Sequence, residues 1–455
     1  MSSFTLAPVL SEKQLDAVDN AALDILEKVG LLVPHAEVLD ELRSKPGVRI
    51  DGETVRLDRS LVRETIENTT GSGQYDTHEI AGAYSHYYLD PDTNEVRLAT
   101  LDDLIKSIKL ADVLGMGVCA PVVPLDVPGP QQELVMERLT HEYSRYSYGA
   151  GQATSAPAAE ASLVMHKLVG RPHSLELWIN SPLKMDGKGL DIVWKLRHLS
   201  PGVSVCSMPV RGQSGPIYVS GLLAQSAAES FGAITVVSLL GVGPDIAFRQ
   251  DAFTAYAVDM MSGNVLLSGP ESLQLLILRV QTAKRHGIAA PMAKGLLTQA
   301  KMPGVQAAAE KMAQSLAMEM AETHCHLAAG TLSSVETFSP IQLIIDKELM
   351  SWISAVMKPV RFSEDEFSID IIKEVGPGGT FFSHESTAQH AREVAWKPEL
   401  FSLNAYQSWV AEGMPSAIER ARDVLNSVEL TDEPAVSPET QRELHRIEKE
   451  YMARL

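Results

Sequence analysis

Phe248 and Arg249 set an aromatic face beside a guanidinium, a pairing that can hold both ends of a small zwitterion. A second concentration lies at Gly376-Pro-Gly-Gly-Thr-Phe-Phe-Ser-His-Glu, running on to Trp396. There Gly376, Gly378 and Gly379 flank Pro377 and can bring backbone close to a ligand. Phe381, Phe382, His384, His390, Arg392 and Trp396 add π faces and polar donors, the ingredients of a site for a charged small molecule. A surface turn with a helix behind it would use the same glycines and proline. Tyr143, Tyr146 and Tyr148 crowd one further short stretch, with Gln152 just beyond. Acyl and phosphoryl transfer lack their usual signatures, since the chain has no Gly-x-Ser-x-Gly and no Walker sequence.

Such residues need a scaffold, and from about residue 115 short apolar runs alternate with helical periods, the mark of βα units and a parallel sheet. Eight runs stand out: Val118 to Pro124, Tyr148 to Ala153, Leu175 to Asn180, Val203 to Met208, Asp245 to Phe248, Asn264 to Leu267, Ile288 to Ala293 and His326 to Gly330. This predicts an α/β fold, a TIM (β/α)8 barrel over 111–360, whose site lies where the strands end. Gln152, Asn180, Arg211, Phe248, Arg249 and Glu271 close individual runs, as do Asp126, Met208, Lys294, Thr298 and Thr331. Tyr148 sits at the entry to the second run, and Phe381, Phe382 and His384 would fold over the mouth. Each has a duller explanation. Asp126 and Glu271 suit the first turns of helices, and Arg211 and Arg249 suit ion pairs on the rim.

Ahead of the barrel, residues 1–110 read as an N-terminal cap: a helix from Glu12 to Val29, strand-like Val48 to Leu57, a helix from Asp58 to Glu67, then strands about the Asp90-to-Asn94 turn. After it, residues 361–455 read as the Gly-rich loop and helices packing on the barrel. The last helix carries Leu444, Ile447 and Tyr451 on one face, suited to docking on the same chain or a sister subunit.

Four stretches resemble, in order, the trimethylamine methyltransferase family. They are Ser207-Met-Pro-Val-Arg-Gly-Gln-Ser-Gly-Pro with Gln225 and Ala228-Glu229; Thr298 to Gln306; Ser339-Pro-Ile-Gln-Leu-Ile-Ile-Asp-Lys-Glu348; and Gly376 to Trp396. Arg211, Gln213 and Gly304 depart from the pattern, which bears on substrate more than on fold. The resemblance implies transfer of a methyl group from a methylated amine to the Co(I) of a corrinoid (cobalamin) presented by a small corrinoid protein. Because all residues are of the standard twenty, it implies the branch without pyrrolysine. Its quaternary amines include glycine betaine, the expected substrate, with proline betaine and carnitine as alternatives. A homo-oligomer is expected, no single catalytic residue is assigned, and no metal is expected on the chain itself. Two other readings remain open: a TIM-barrel lyase or isomerase with Glu271, Lys294 or His384 as general base, and a betaine-binding protein without chemistry.

Bulk properties narrow the field. Lys plus Arg number 39 against 58 Asp plus Glu, a formal charge of −19, which disfavours nucleic acid and anionic membrane partners. Cys119, Cys206 and Cys325 lack the paired spacing of a zinc site or a disulfide framework, so a reducing cytoplasm is expected. His324-Cys325-His326 would point alternately along a strand and is a poor metal cluster. The N-terminus has no signal-peptide pattern, and no apolar run is read as a membrane span.

Overall fold

A computed structural model describes residues 4–69, 79–151, 153–171, 173–200, 202–242, 252–287, 295–323, 326–360 and 362–455. The N-terminal elements form as their patterns predict. The helix Glu12–Lys28 buries Leu15, Val18, Ala22, Leu23 and Leu26 at helical spacing, and its start is fixed by Gln14 Oε1 accepting from the Ser11 amide at 2.9 Å. Its apolar face packs on the long helix Val219–Leu239, where the missing Cβ of Gly232 makes room for Leu26 and Leu31. Arg285, at the end of the helix Pro270–Arg285, ties that helix to the N-terminal one, pairing with Glu12 at 2.6 Å and Asp19 at 2.8 Å. The hairpin Val48–Asp51 with Thr54–Leu57 and the helix Arg59–Asn68 complete this part.

Val219–Leu239 is long and apolar enough, by length and composition alone, to cross a membrane. It is instead a core helix, with 89% of its most apolar window buried inside the molecule. Its polar residues show why: Ser226 and Ser230 bond across to Thr254 O and from Phe253 N, at 2.7 and 3.0 Å.

Among the described residues, parallel pairing forms two blocks that bear on the site, besides shorter pairs such as Thr337–Phe338 with Tyr87–Leu89. Leu175–Asn180 lies beside Val203–Ser207 in the register Leu175 with Val203 through Ile179 with Ser207. His326–Ala329, Glu79–Ala81 and Gly117–Val118 form the other, extended by a parallel bridge from Val118 to Ser147. A further parallel bridge joins Val210 to Tyr256. The molecule is therefore a mixed α/β protein. Three expectations change. No described residue of the run Tyr148 to Ala153, expected as a barrel strand, lies in a strand. Glu79–Ala81, assigned to the cap, is the central strand of a parallel block. Val265–Leu266, expected as a barrel strand, pairs antiparallel with Ala257–Val258. The cause is turn chemistry: Asp259 accepts from the amides of Met261 and Ser262 at 3.1 and 3.3 Å and closes a hairpin before Gly263. The runs Asp245 to Phe248 and Ile288 to Ala293 lie outside the described residues.

The C-terminal third divides in two. Leu444, Ile447 and Tyr451 dock the helix Pro438–Met452 against Leu134, Ala158, Ala161 and Met165 of the same chain. By contrast, the helices Ile369–Val375, Glu385–Val394 and Tyr406–Ala411 bury none of their residues. The chain returns to the body at Leu400, where Glu348 accepts from the amides of Glu399, Leu400 and Phe401 at 3.0–3.2 Å.

Asp103 supplies an acid-sensitive joint. It accepts from Arg97 at 2.6 and 2.8 Å and from the Thr100 amide and hydroxyl at 2.9 and 2.8 Å. Burial pushes its carboxyl up, but these donors outweigh burial and hold it below the usual range. A depressed pKa contributes stability present above the unfolded-state value near 4 and lost as pH falls through the folded value. Asp103→Asn should cost about 1–3 kcal/mol near neutrality and flatten the acid limb of a stability-versus-pH curve. An unchanged acid limb would mean that the joint does not titrate with folding.

Candidate functional site

Alternation along the two paired strands separates their faces. Leu175, Leu177 and Ile179 join Val203 and Val205 in the apolar layer beneath the helices, and Ser207 reaches Ser226 of the core helix at 3.3 Å. The opposite face therefore carries Glu176, Trp178 and Asn180 on one strand and Ser204 and Cys206 on the other. Register sets Glu176 beside Ser204 and Trp178 beside Cys206. Trp178 Nε1 and Ser204 Oγ are buried and have no hydrogen-bond partner among the described residues. Two buried donors, one of them the indole's own N–H, therefore share this face with a carboxylate.

The second parallel block contributes its own inner face. Ile80, Leu297 and Ala328 pack together, with Cys119, Tyr148 and Val335 against them. Tyr148 lies across Gly117, whose missing Cβ leaves room for the ring. At the strand ends, Tyr84 Oη meets Cys119 Sγ at 2.8 Å. Tyr84 keeps 36% of its surface accessible, yet the desolvation of its phenol end, then the neighbouring Cys119 and Glu176, push it well above its ordinary pKa. Tyr84, Ala120 and Ala328 all have positive φ, at 61°, 23° and 74°, so strained backbone gathers at the ends of three neighbouring strands.

Gly151 completes this corner with φ of 84°, and a Cβ there would collide with the Tyr84 phenol. Gly151→Ala should therefore displace Tyr84 and also strain the backbone, lowering stability by about 1–3 kcal/mol. Tyr84→Ala in the same chain should recover the collision component but not the backbone one. A double-mutant cycle with no coupling would show that the two residues do not meet.

The other expected residues are placed as follows. Asn180 is exposed on the Glu176–Trp178 face, its Nδ2 3.4 Å from Asp186 Oδ1. Arg211 braces its own turn, Nε donating to Ile217 O at 2.7 Å. Glu271 is exposed in the first turn of Pro270–Arg285. Phe381 and Phe382 are largely exposed, and His384 caps the helix Glu385–Val394 through Ser386. Trp396 bonds Ser351 Oγ at 3.0 Å. The structure thus packs Tyr148 against Ile80, Leu297 and Ala328, leaves Asn180, Phe381 and Phe382 exposed and half-buries His384. Gln152, Phe248, Arg249 and Lys294 lie outside the described residues. Glu176, Trp178, Ser204 and Tyr84 were not singled out from sequence, although Leu-Glu-Leu-Trp-Ile-Asn alternates plainly enough to have exposed the first two.

The conspicuous polar residues of three quoted stretches turn out to hold loops. Gln225 Nε2 bridges Ser214 O and Glu229 Oε1 at 2.8 and 2.9 Å, while Glu229 also accepts from Ser181 and the Leu183 amide. Glu310 gathers Thr298, Gln299 and Gln306 at 2.7–2.9 Å. Asp346 accepts from Gly330 N and Gln342 Nε2, both at 2.7 Å. A cavity of about 30 Å³ bordered by Thr254, Tyr256, Arg279 and Leu297 has room for a single water and so does not locate a substrate.

Comparison with known proteins places these features in a lineage. Residues 2–454 match the family described as trimethylamine methyltransferase (MTTB). The chain is 25% identical to a glycine betaine methyltransferase of Desulfitobacterium hafniense (strain Y51) over 434 residues, 89% of this chain and 88% of that one. It is 24% identical to the trimethylamine methyltransferase MttB of Methanosarcina thermophila over 458 residues, 92% and 93% of the two chains. A crystal structure of the Methanosarcina barkeri monomethylamine methyltransferase (MtmB) aligns over 97% of this chain and 88% of its own, with a TM-score of 0.47 and 11% identity.

Proposed function

The chain belongs to the trimethylamine methyltransferase family, and from that premise we propose that it moves a methyl group from a quaternary amine, glycine betaine, to a corrinoid carried by a small partner protein. The enzyme is a methyltransferase. The observation that carries the substrate is the face of the paired strands where the Glu176 carboxylate stands with two buried donors that have no hydrogen-bond partner among the described residues, the Trp178 indole N–H and the Ser204 hydroxyl. A zwitterion that ends in a trimethylammonium group and a carboxylate answers both halves.

We read the parallel blocks as parts of one (β/α)8 barrel, with the substrate inside its mouth. In support, Ile80, Cys119, Tyr148, Leu297 and Ala328 come from five separate segments and meet in one cluster, as inward side chains of a closed barrel do. On this reading Asn180 and Tyr148 line the site. The partner approaches from the same side.

The corrinoid, as methyl acceptor, supplies the nucleophile for an in-line displacement at one N-methyl carbon. The carbon–nitrogen bond breaks with its electron pair going to nitrogen, so the amine departs neutral and needs no proton from the chain. The chain's task is binding and aim. Glu176 balances the ammonium charge, the faces of Trp178 and Tyr148 hold its methyl groups, and the indole N–H and the Ser204 hydroxyl orient the carboxylate. Shielding from water strengthens all of these contacts. The acid-base alternative has less to work with: Glu271 is exposed and His384 is occupied as a helix cap.

Calorimetric titration of the purified chain with glycine betaine, proline betaine, carnitine and trimethylamine tests the assignment. Tightest binding of glycine betaine is expected. Strong trimethylamine turnover with no betaine bound would overturn the substrate while leaving the family intact.

A further inference from the structure

We propose that Glu137, His141 and His166 form a site for a divalent transition-metal ion, zinc foremost, that clamps two helices to the loop at Gly149–Ala150. Glu137 and His141 stand one turn apart on the helix Gly129–Tyr143, so their side chains share a face; His166 comes from the neighbouring helix Ala156–Leu168. All three are buried, at 3%, 1% and 3% exposure. His141 Nε2 lies 2.9 Å and His166 Nε2 3.1 Å from the same oxygen, Glu137 Oε1. Ligand atoms on a tetrahedral zinc with bonds of about 2.0–2.1 Å stand about 3.3 Å apart, so the three are already close to the spacing a metal requires.

The surroundings favour an ion over hydrogen bonding alone. Ser162 Oγ is a third group at the same oxygen, at 3.0 Å, and the second oxygen accepts from Ala150 N at 2.5 Å. One carboxylate oxygen has two lone pairs, which the His141 and Ser162 hydrogen bonds take up, so His166 Nε2 at 3.1 Å is held against that oxygen without a hydrogen bond to it. An ion drawing in the oxygen and both imidazole nitrogens removes that conflict and leaves Ser162 or a water for the fourth position. The rings are held for the purpose. His166 stacks on His173 at 4.0 Å and 10°, and meets His141 edge-on at 4.5 Å. Gly149 closes the remaining side, where a Cβ would come within 2.6 Å of His166 Nε2 and 2.8–2.9 Å of both Glu137 oxygens. Two imidazoles and one carboxylate suit zinc, with iron(II), nickel and cobalt as competitors, and not magnesium or calcium. A sequence scan for ligands close together misses the group, because the third comes from a different helix.

The test is elemental analysis of the full chain, purified without a histidine tag or chelator. About one equivalent of zinc or another first-row divalent ion per chain is expected. Glu137→Gln and His166→Gln should each lose it, and cobalt(II) should give the visible bands of a four-coordinate site. Should those variants fail to fold, wild-type protein stripped with dipicolinate gives the second readout: its melting temperature should fall and return on adding zinc. Folded wild-type protein that carries no metal and whose melting does not respond to zinc or cobalt would overturn the site. So would metal retained in full by folded Glu137→Gln and His166→Gln variants.

Discussion

Glu176→Gln lowers affinity for glycine betaine by about 100-fold and leaves 3,3-dimethylbutanoate, its uncharged-headgroup isostere, nearly unaffected. The isostere keeps the carboxylate and the three methyl groups and replaces the quaternary nitrogen by carbon. It therefore isolates the interaction between the Glu176 carboxylate and the ammonium charge. Removing one partner of a desolvated charge pair costs about 3 kcal/mol, which corresponds to that ratio. Trp178→Phe should behave differently. It keeps an aromatic face and removes the buried Nε1 donor, so both ligands should weaken alike, by about tenfold, if that donor meets the carboxylate. Competition binding with the two ligands reads both variants. Equal losses on Glu176→Gln would move the cation elsewhere, and no loss for either ligand on Trp178→Phe would remove the indole N–H from the site.

Asp346→Ala has the largest expected effect on stability. Lys311 Nζ lies 2.6 Å from Asp346 Oδ2, and both side chains are completely buried. Burial pushes the lysine down and the aspartate up, the directions expected of charges withdrawn from water. Removing the carboxylate leaves the ammonium alone and strips the Gly330 amide and Gln342 of their acceptor. A loss of about 3–5 kcal/mol follows, read as a faster unfolding rate or a lower denaturant midpoint. Lys311→Met with Asp346→Leu should recover most of it, because a packed apolar pair leaves no buried charge. If the single variant loses less than about 1 kcal/mol, the pair is not the joint between the Gly330 turn and the helix Pro340–Met357 described here.

Local signals in the sequence were strong where one element decides its own form. The helix read from Glu12 to Val29 runs Glu12–Lys28, and the strand-like stretch Val48 to Leu57 is the hairpin Val48–Asp51 with Thr54–Leu57. The parallel runs at Leu175–Asn180, Val203–Ser207 and His326–Ala329 were equally legible, since apolar stretches of that length between helices have few alternatives. Failures came where partners are distant. Glu79–Ala81 is three residues long and becomes a strand through its neighbours on both sides. Val265–Leu266 looked like its parallel counterparts, but Asp259 and Gly263 turned it into half of a hairpin. The Gly376-to-Trp396 stretch drew attention by composition, yet Phe382 is 91% exposed and its helix buries nothing. The inner face was hidden for the opposite reason. Glu176 and Trp178 are single residues in an apolar strand, and their meaning comes only from Ser204 and Cys206 beside them.

The central claim is methyl transfer from a quaternary amine to Co(I), and it is tested most directly without the partner protein. Purified chain is mixed anaerobically with free cob(I)alamin and glycine betaine, and the spectrum is followed for methylcob(III)alamin while dimethylglycine is measured. The account predicts both products in equal amounts, with formation depending on the chain and greatly slowed in Glu176→Gln. Glycine betaine that binds yet yields neither product, with free cobalamin or with a corrinoid protein that accepts methyl groups from a related enzyme, would contradict it.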